Sequence, residues 1–285
     1  MPLAALVLLL LSASLHAGWN LLLKNTENKY LVMWWGLVIG CLLFLPVAIV
    51  RLPIPPHVWP FIVVSGFLEA IYDGTLAAAY QKEDFSLVYP IARGGAPALL
   101  AVWAILFLNE TPSPAGKAGL LVLTLGLMVV GSSKWWSVRK NGAASALGIG
   151  LACLVALTIS AYTVIDGAAV KQMDAPAYTV LVFILAAVFG FPVVLRLYGR
   201  QAVREVGRSQ WKRAALIGAL SFIAYALVLV TFTFAPVSYG GAIREVSIVL
   251  GALAGWLWLK ESFGPLRVLG SLLIFAGILT IVVAG

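Results

Sequence analysis

Apolar residues fill this chain in runs of about twenty, and the polar residues between the runs are few and clustered. A helix needs about 20 apolar residues to cross a bilayer core, because in lipid every backbone N–H and C=O must be satisfied within the membrane. On that measure the pattern predicts ten spans, at 3–23, 31–50, 58–80, 86–108, 115–133, 146–170, 176–196, 213–234, 237–259 and 265–284. The breaks carry Pro, Gly and charge, as in NTENK, RLPIPPH, QKED, NETPSP, KWWSVRKNG, KQMDAP and KESFGP. A longer polar segment, 197–212, precedes the eighth span. The opening MPLAALVLLLLSASLHAG lacks the basic start of a signal peptide, so it reads as a retained first helix.

One stretch occurs twice. Residues 93–126 align without a gap on 244–277, an offset of 151, with Arg93/Arg244, Glu110/Glu261, Pro114/Pro265, Gly119/Gly270 and Gly126/Gly277 among the identities. Ten spans then divide into a first five-helix repeat at 1–133, a cytoplasmic linker at 134–145 and a second repeat at 146–285. Because five is odd, the second repeat enters the membrane upside down. The expected fold class is an all-α polytopic membrane protein of ten transmembrane helices in two inverted five-helix repeats.

Composition agrees: the chain is 62% hydrophobic and 11% charged, with a mean hydropathy of +1.03. Its net charge of +8 is no sign of a nucleic-acid partner, because Lys and Arg sit mostly in short loops. Fourteen of them lie in the loops after odd-numbered spans and three, Arg51, Lys117 and Lys171, after even-numbered ones; the other two are Arg93 and Arg244. The positive-inside rule therefore places the odd loops in the cytoplasm and both termini on the outer side; in a bacterial inner membrane, the expected location, that side is the periplasm. Arg196, Arg200, Arg204 and Arg208 recur every four residues and read as a surface anchor, with an anionic-lipid or partner docking site as the alternative. Trp59, Trp135, Trp136 and Trp211 fall at span ends, as interfacial residues do. Cys41 and Cys153 read as small buried hydrophobes. No metal spacing, phosphate-cradling loop, ATP-binding module or nucleophile–base set is present, which argues against an enzyme and implies no cofactor.

Ionisable residues inside spans are costly and mark candidate sites. Here they are His16, Glu69, Asp73, Arg93, Asp166, Arg244 and Glu245. Taking 1.5 Å per residue, Arg93 lies about 10 Å from the cytoplasmic face, level with Asp73 and His16, and Arg244 lies about 10 Å from the outer face, near Asp166. These depths predict an Asp73–Arg93 pair and an Asp166–Arg244 pair, either staples between helices or gates and substrate contacts. Glu245 is expected to point about 100° away from Arg244. Glu69, one turn from Asp73, has no basic partner at its depth, which leaves a hydrogen-bonded neutral acid or a proton-coupling site. Trp19, Tyr72, Tyr80 and Trp103 are candidates for a cavity wall. Gly94, Gly95, Ala96 and Pro97 let the fourth helix approach a neighbour or bend. The repeated Glu110 and Glu261 sit at span ends and read as structural markers.

The segments PIARGGAPALLAVWAILFLNETPSPAGKAGLLVLTLG and APVSYGGAIREVSIVLGALAGWLWLKESFGPLRVLGSLLIFAG, with ASLHAGWNLLLK at the start, resemble the EamA family of the drug/metabolite transporter superfamily. The resemblance implies secondary export of a small-molecule substrate by alternating access, with a cavity between the repeats. Its YddG-type amino-acid exporter branch points to amino acids, aromatic or otherwise bulky and apolar. The alternatives are a multidrug or cationic-compound exporter and a non-transporting membrane scaffold. Proton coupling, a lipid bilayer as the only other partner, and a monomer or weak homodimer complete the expectation. Many relatives have cytoplasmic termini, and the loop charges here argue the reverse. A cysteine placed at either terminus is expected to react with a membrane-impermeant thiol reagent in intact cells; reaction only after lysis would reverse the orientation.

Overall fold

A computed structural model describes residues 1–24, 26–82, 85–132, 146–259 and 264–284, with the side chains of 24, 77, 80–82, 85–87, 89–90, 131–132, 252 and 254–259 outside the description. The described residues are helical, with no strand: α1 (Leu3–Lys24), α2 (Lys29–Ile49), α3 (Trp59–Lys82), α4 (Phe85–Phe107), α5 (Pro114–Ser132), α6 (Ala146–Ala169), α7 (Ala175–Ser209), α8 (Trp211–Phe232), α9 (Val237–Arg244), α10 (Val246–Leu259) and α11 (Pro265–Ala284). Six of these, α1, α2, α6, α7, α8 and α11, contain a stretch long and apolar enough to cross a bilayer. Shorter apolar stretches run through Ile91–Phe107 and Pro114–Val130. Large apolar side chains such as Leu42, Phe67, Phe107, Leu121, Val188 and Phe275 are exposed on the outside, as a lipid-facing surface requires. Cys41 is buried as expected, but Cys153 is exposed, because it falls on the outward face of α6.

Helix pairing is symmetric about the repeat. α3 packs on α6 and α7 of the second repeat, and its counterpart α8 packs on α1 and α2 of the first. α4 meets α6 just as α9 and α10 meet α1. Two pairs join equivalent helices, α2 with α7 and α5 with α11.

The α5–α11 seam reveals how the halves are related. A Cβ on Gly119 would stand 2.9 Å from the Gly277 carbonyl oxygen, and one on Gly126 would stand 2.8 Å from that of Gly270. The first glycine of one copy thus meets the second glycine of the other, so the helices run antiparallel. Helices related by the repeat and packed antiparallel are exchanged by a twofold axis perpendicular to them. That is the inverted arrangement.

Three local features depart from simple expectation. The ninth predicted span is two helices, α9 and α10, separated at Glu245. There the Glu245 N–H donates to Ala242 and the Glu245 carbonyl accepts from Ile248, so the turn tightens to i→i+3 spacing. In the first copy α4 continues through Gly94 and Gly95, whose lack of a side chain admits Met128 of α5 and Ala156 of α6. α7 runs beyond its predicted end and breaks at Gly199, where φ is 75°. The following turn exposes Arg200, Arg204 and Arg208 and buries Val203 and Val206 beside Trp35, whose Nε1 donates to the Val203 carbonyl at 2.9 Å.

Glu110 acts at a helix end in the opposite repeat. After α4 the chain turns through Asn109 (φ 54°), and the Glu110 carboxylate accepts from the N–H groups of Val237 (2.5 Å) and Ser238 (3.2 Å) and the Ser238 hydroxyl (2.5 Å). It thereby caps the orphan donors at the start of α9, where a negative charge also suits the helix dipole. Its counterpart Glu261 lies outside the described residues, as do Trp135 and Trp136.

The seam gives a test of the fold. Gly126→Leu or Gly277→Leu is expected to destabilise the protein by about 1–3 kcal/mol or more, because the new atoms meet backbone that cannot turn aside. Thermal unfolding in detergent would show it; Gly150→Leu, where a Cβ meets nothing within 4 Å, is the control.

Candidate functional site

A cavity lies between the repeats. α1 supplies Ser12, His16 and Trp19 to its lining, α3 Glu69, Tyr72 and Asp73, and α4 Arg93. From the second repeat come Tyr162 of α6, Phe183 of α7, Tyr225 of α8 and Arg244 of α9. Helical spacing explains the grouping: His16 and Trp19, like Glu69 and Asp73, are about one turn apart and share a face. The open volume is about 70 Å³, room for a few waters, whereas small-molecule pockets commonly reach roughly 300–1,000 Å³.

Charge in the wall centres on one carboxylate. Glu245, 1% exposed, receives Arg93 Nη1 at 3.3 Å on Oε2 and 3.4 Å on Oε1, and Arg244 Nη2 at 3.4 Å on Oε1. His16 Nε2 stands 3.4 Å from Arg93 Nη2, where a neutral ring protonated on Nδ1 accepts a hydrogen bond. Its ring meets Trp19 edge-on at 4.7 Å. Glu245 is not part of the lining; it sits behind the two guanidiniums that are.

This corrects both predicted pairs. Asp73 lines the cavity, yet the acid that Arg93 meets among the described ion pairs is Glu245. Nor is Asp166 paired with Arg244. It is fully buried and accepts the Tyr178 hydroxyl at 2.7 Å on one oxygen and the Tyr225 hydroxyl on the other. The two arginine layers also converge. Two long side chains reaching inward from about 10 Å below each face meet on a shared acid. Glu245 joins Arg244 at 3.4 Å although adjacent residues on a helix point about 100° apart.

Trp19 and Tyr72 line the cavity, whereas Trp103 does not: its Nε1 donates to Ser160 Oγ at 3.1 Å and staples α4 to α6. The Tyr80 side chain lies outside the described residues. Sequence reasoning passed over Tyr162, Phe183 and Tyr225, which form a ladder with Tyr72. Centroids lie 6.0 Å apart for Tyr72–Tyr162, 6.4 Å for Tyr162–Tyr225 and 5.5 Å for the stacked Phe183–Tyr225 pair. A hydroxyl in mid-span was the available signal for the two tyrosines; nothing marked Phe183. No group of His, Cys, Asp or Glu among the described residues is arranged to hold a metal ion.

Residues 3–132 and 146–283 each match the EamA-like transporter family. The chain belongs to that family, within the drug/metabolite transporter superfamily. It is an integral membrane protein of a transporter family. A solved structure titled "Crystal structure of protein" has the same fold, with a TM-score of 0.77 at 18% identity over 98% of this chain and 96% of the other. No curated protein sequence matches significantly. Knowing the family does not assign a substrate; the cavity is where one must be read.

The tyrosine clamp on Asp166 can be weighed directly. Asp166→Ala leaves two buried hydroxyls without their acceptor, at about 1–3 kcal/mol each. Thermal unfolding is expected to show the combined loss, with Asp166→Ala/Tyr225→Phe recovering part of it; strict additivity would mean the contact carries no coupling.

Proposed function

We propose that this protein is a secondary exporter of amino acids, aromatic or otherwise bulky and apolar, working by alternating access. The observation that carries the reading is the composition of one cavity wall: Arg93 and Arg244 beside Glu69, Asp73 and an aromatic ladder. A zwitterion with an apolar side chain offers a complement to each part. Its carboxylate meets the guanidiniums in bidentate fashion, its ammonium meets Glu69 or Asp73, and its ring packs against Tyr72, Tyr162, Phe183 and Trp19. Glu69 and Asp73 are then also the candidate carriers of a coupling proton. Substrate enters when the halves rock apart, since about 70 Å³ holds no amino acid. The orientation is termini-out in a bacterial inner membrane, by the loop charges. Ten membrane crossings follow if α9 and α10 together make one. The chain works as a monomer or weak homodimer.

A multidrug or cationic-compound exporter is the second reading, favoured by Glu69 and Asp73 next to aromatic faces. Efflux from proteoliposomes separates the two. Aromatic amino acids are expected to move and amphipathic cations to stay. Arg93→Ala and Arg244→Ala are each expected to lower amino-acid efflux roughly tenfold or more, since a charge-assisted hydrogen bond is worth about 1.5–3 kcal/mol. If only cations move, the amino-acid reading is dead.

A further inference from the structure

Glu245 is a residue that the repeat does not supply twice; its counterpart in the first half, 151 positions earlier, is Gly94. One carboxylate therefore serves two guanidiniums related by the repeat. Its contacts, 3.3–3.4 Å, exceed the roughly 2.7–2.9 Å of a closely formed charge-assisted bond. Two guanidiniums share this one anion. Both guanidiniums line the cavity, with the acid behind them. Arg244 Nε is buried and has no acceptor among the described residues, so the cluster also holds donor capacity that Glu245 leaves unused.

We propose that Glu245 is a resident stand-in for the carboxylate of the transported solute. Glu245 ties Arg93 of the first repeat to Arg244 of the second. An incoming carboxylate approaches from the cavity side, takes over the guanidiniums and loosens the tie. Occupancy is thereby linked to the relative position of the halves, because the same contact that is exchanged also joins them. A solute with no carboxylate cannot make that exchange. The inference rests on the reading of the substrate as a carboxylate, but its test does not need the substrate's identity.

The test is rescue by acetate. Purified Glu245→Ala is expected to gain thermal stability saturably with sodium acetate, and not with sodium chloride at the same ionic strength. Wild type is expected to need at least about tenfold more acetate for the same gain, the factor that roughly one retained charge-assisted hydrogen bond sets. Glu245→Gln, with the shape kept and the charge removed, takes the same titration if the alanine variant does not fold. No acetate response in either variant, or one midpoint shared with wild type, overturns the assignment. Acetate rescue without amino-acid efflux would remove the amino-acid reading and leave this one; efflux without rescue would do the reverse.

Discussion

A charge that cannot reach water must meet a counter-charge, and the interior of this protein is arranged around that requirement. Two arginines on helices from different repeats are long enough to reach the same level, and Glu245 is there to receive both. Another buried acid, Asp166, is satisfied differently, by two phenolic hydroxyls. Charged partners thus serve Glu245, and neutral donors serve Asp166.

Symmetry is kept where helices only need to pack and abandoned where chemistry is read. Glycines 119, 126, 270 and 277 survive in both copies because each opens the same backbone contact. The residue after the repeated arginine has diverged from a space-saving glycine to an acid. Gly94 is needed small, against Met128; Glu245 is needed charged, between two guanidiniums. No single residue could do both jobs, so the halves could not remain alike there.

Much of the architecture was legible in the primary structure because lipid leaves few options. Apolar length marks the helices, and an odd number of spans per repeat forces the inversion that the antiparallel α5–α11 seam displays. The members of the cavity cluster were legible as well, since a buried charge is conspicuous in an apolar run. Their partners were not. Depth along each helix assigns Arg93 to Asp73, but rotation about the helix axis decides the matter, and it gives Arg93 to Glu245. Rotation also turned Trp103 toward Ser160 and Phe183 toward the cavity. The pair Gly94–Gly95 left close approach and a bend both open, and the contacts with Met128 and Ala156 show close approach.

The α5–α11 seam has a consequence for the order of assembly. Its partners lie about 150 residues apart, and α11 is made after α6 to α10. During synthesis α5 must therefore wait in the membrane with its glycine face uncovered while five further helices insert. Arrival of α11 closes that face and ties it to two other segments: the Met1 ammonium donates to the Val282 carbonyl, and the Ser113 hydroxyl to that of Ala284. That helix thus acts as a keystone, set after the ten helices before it are made.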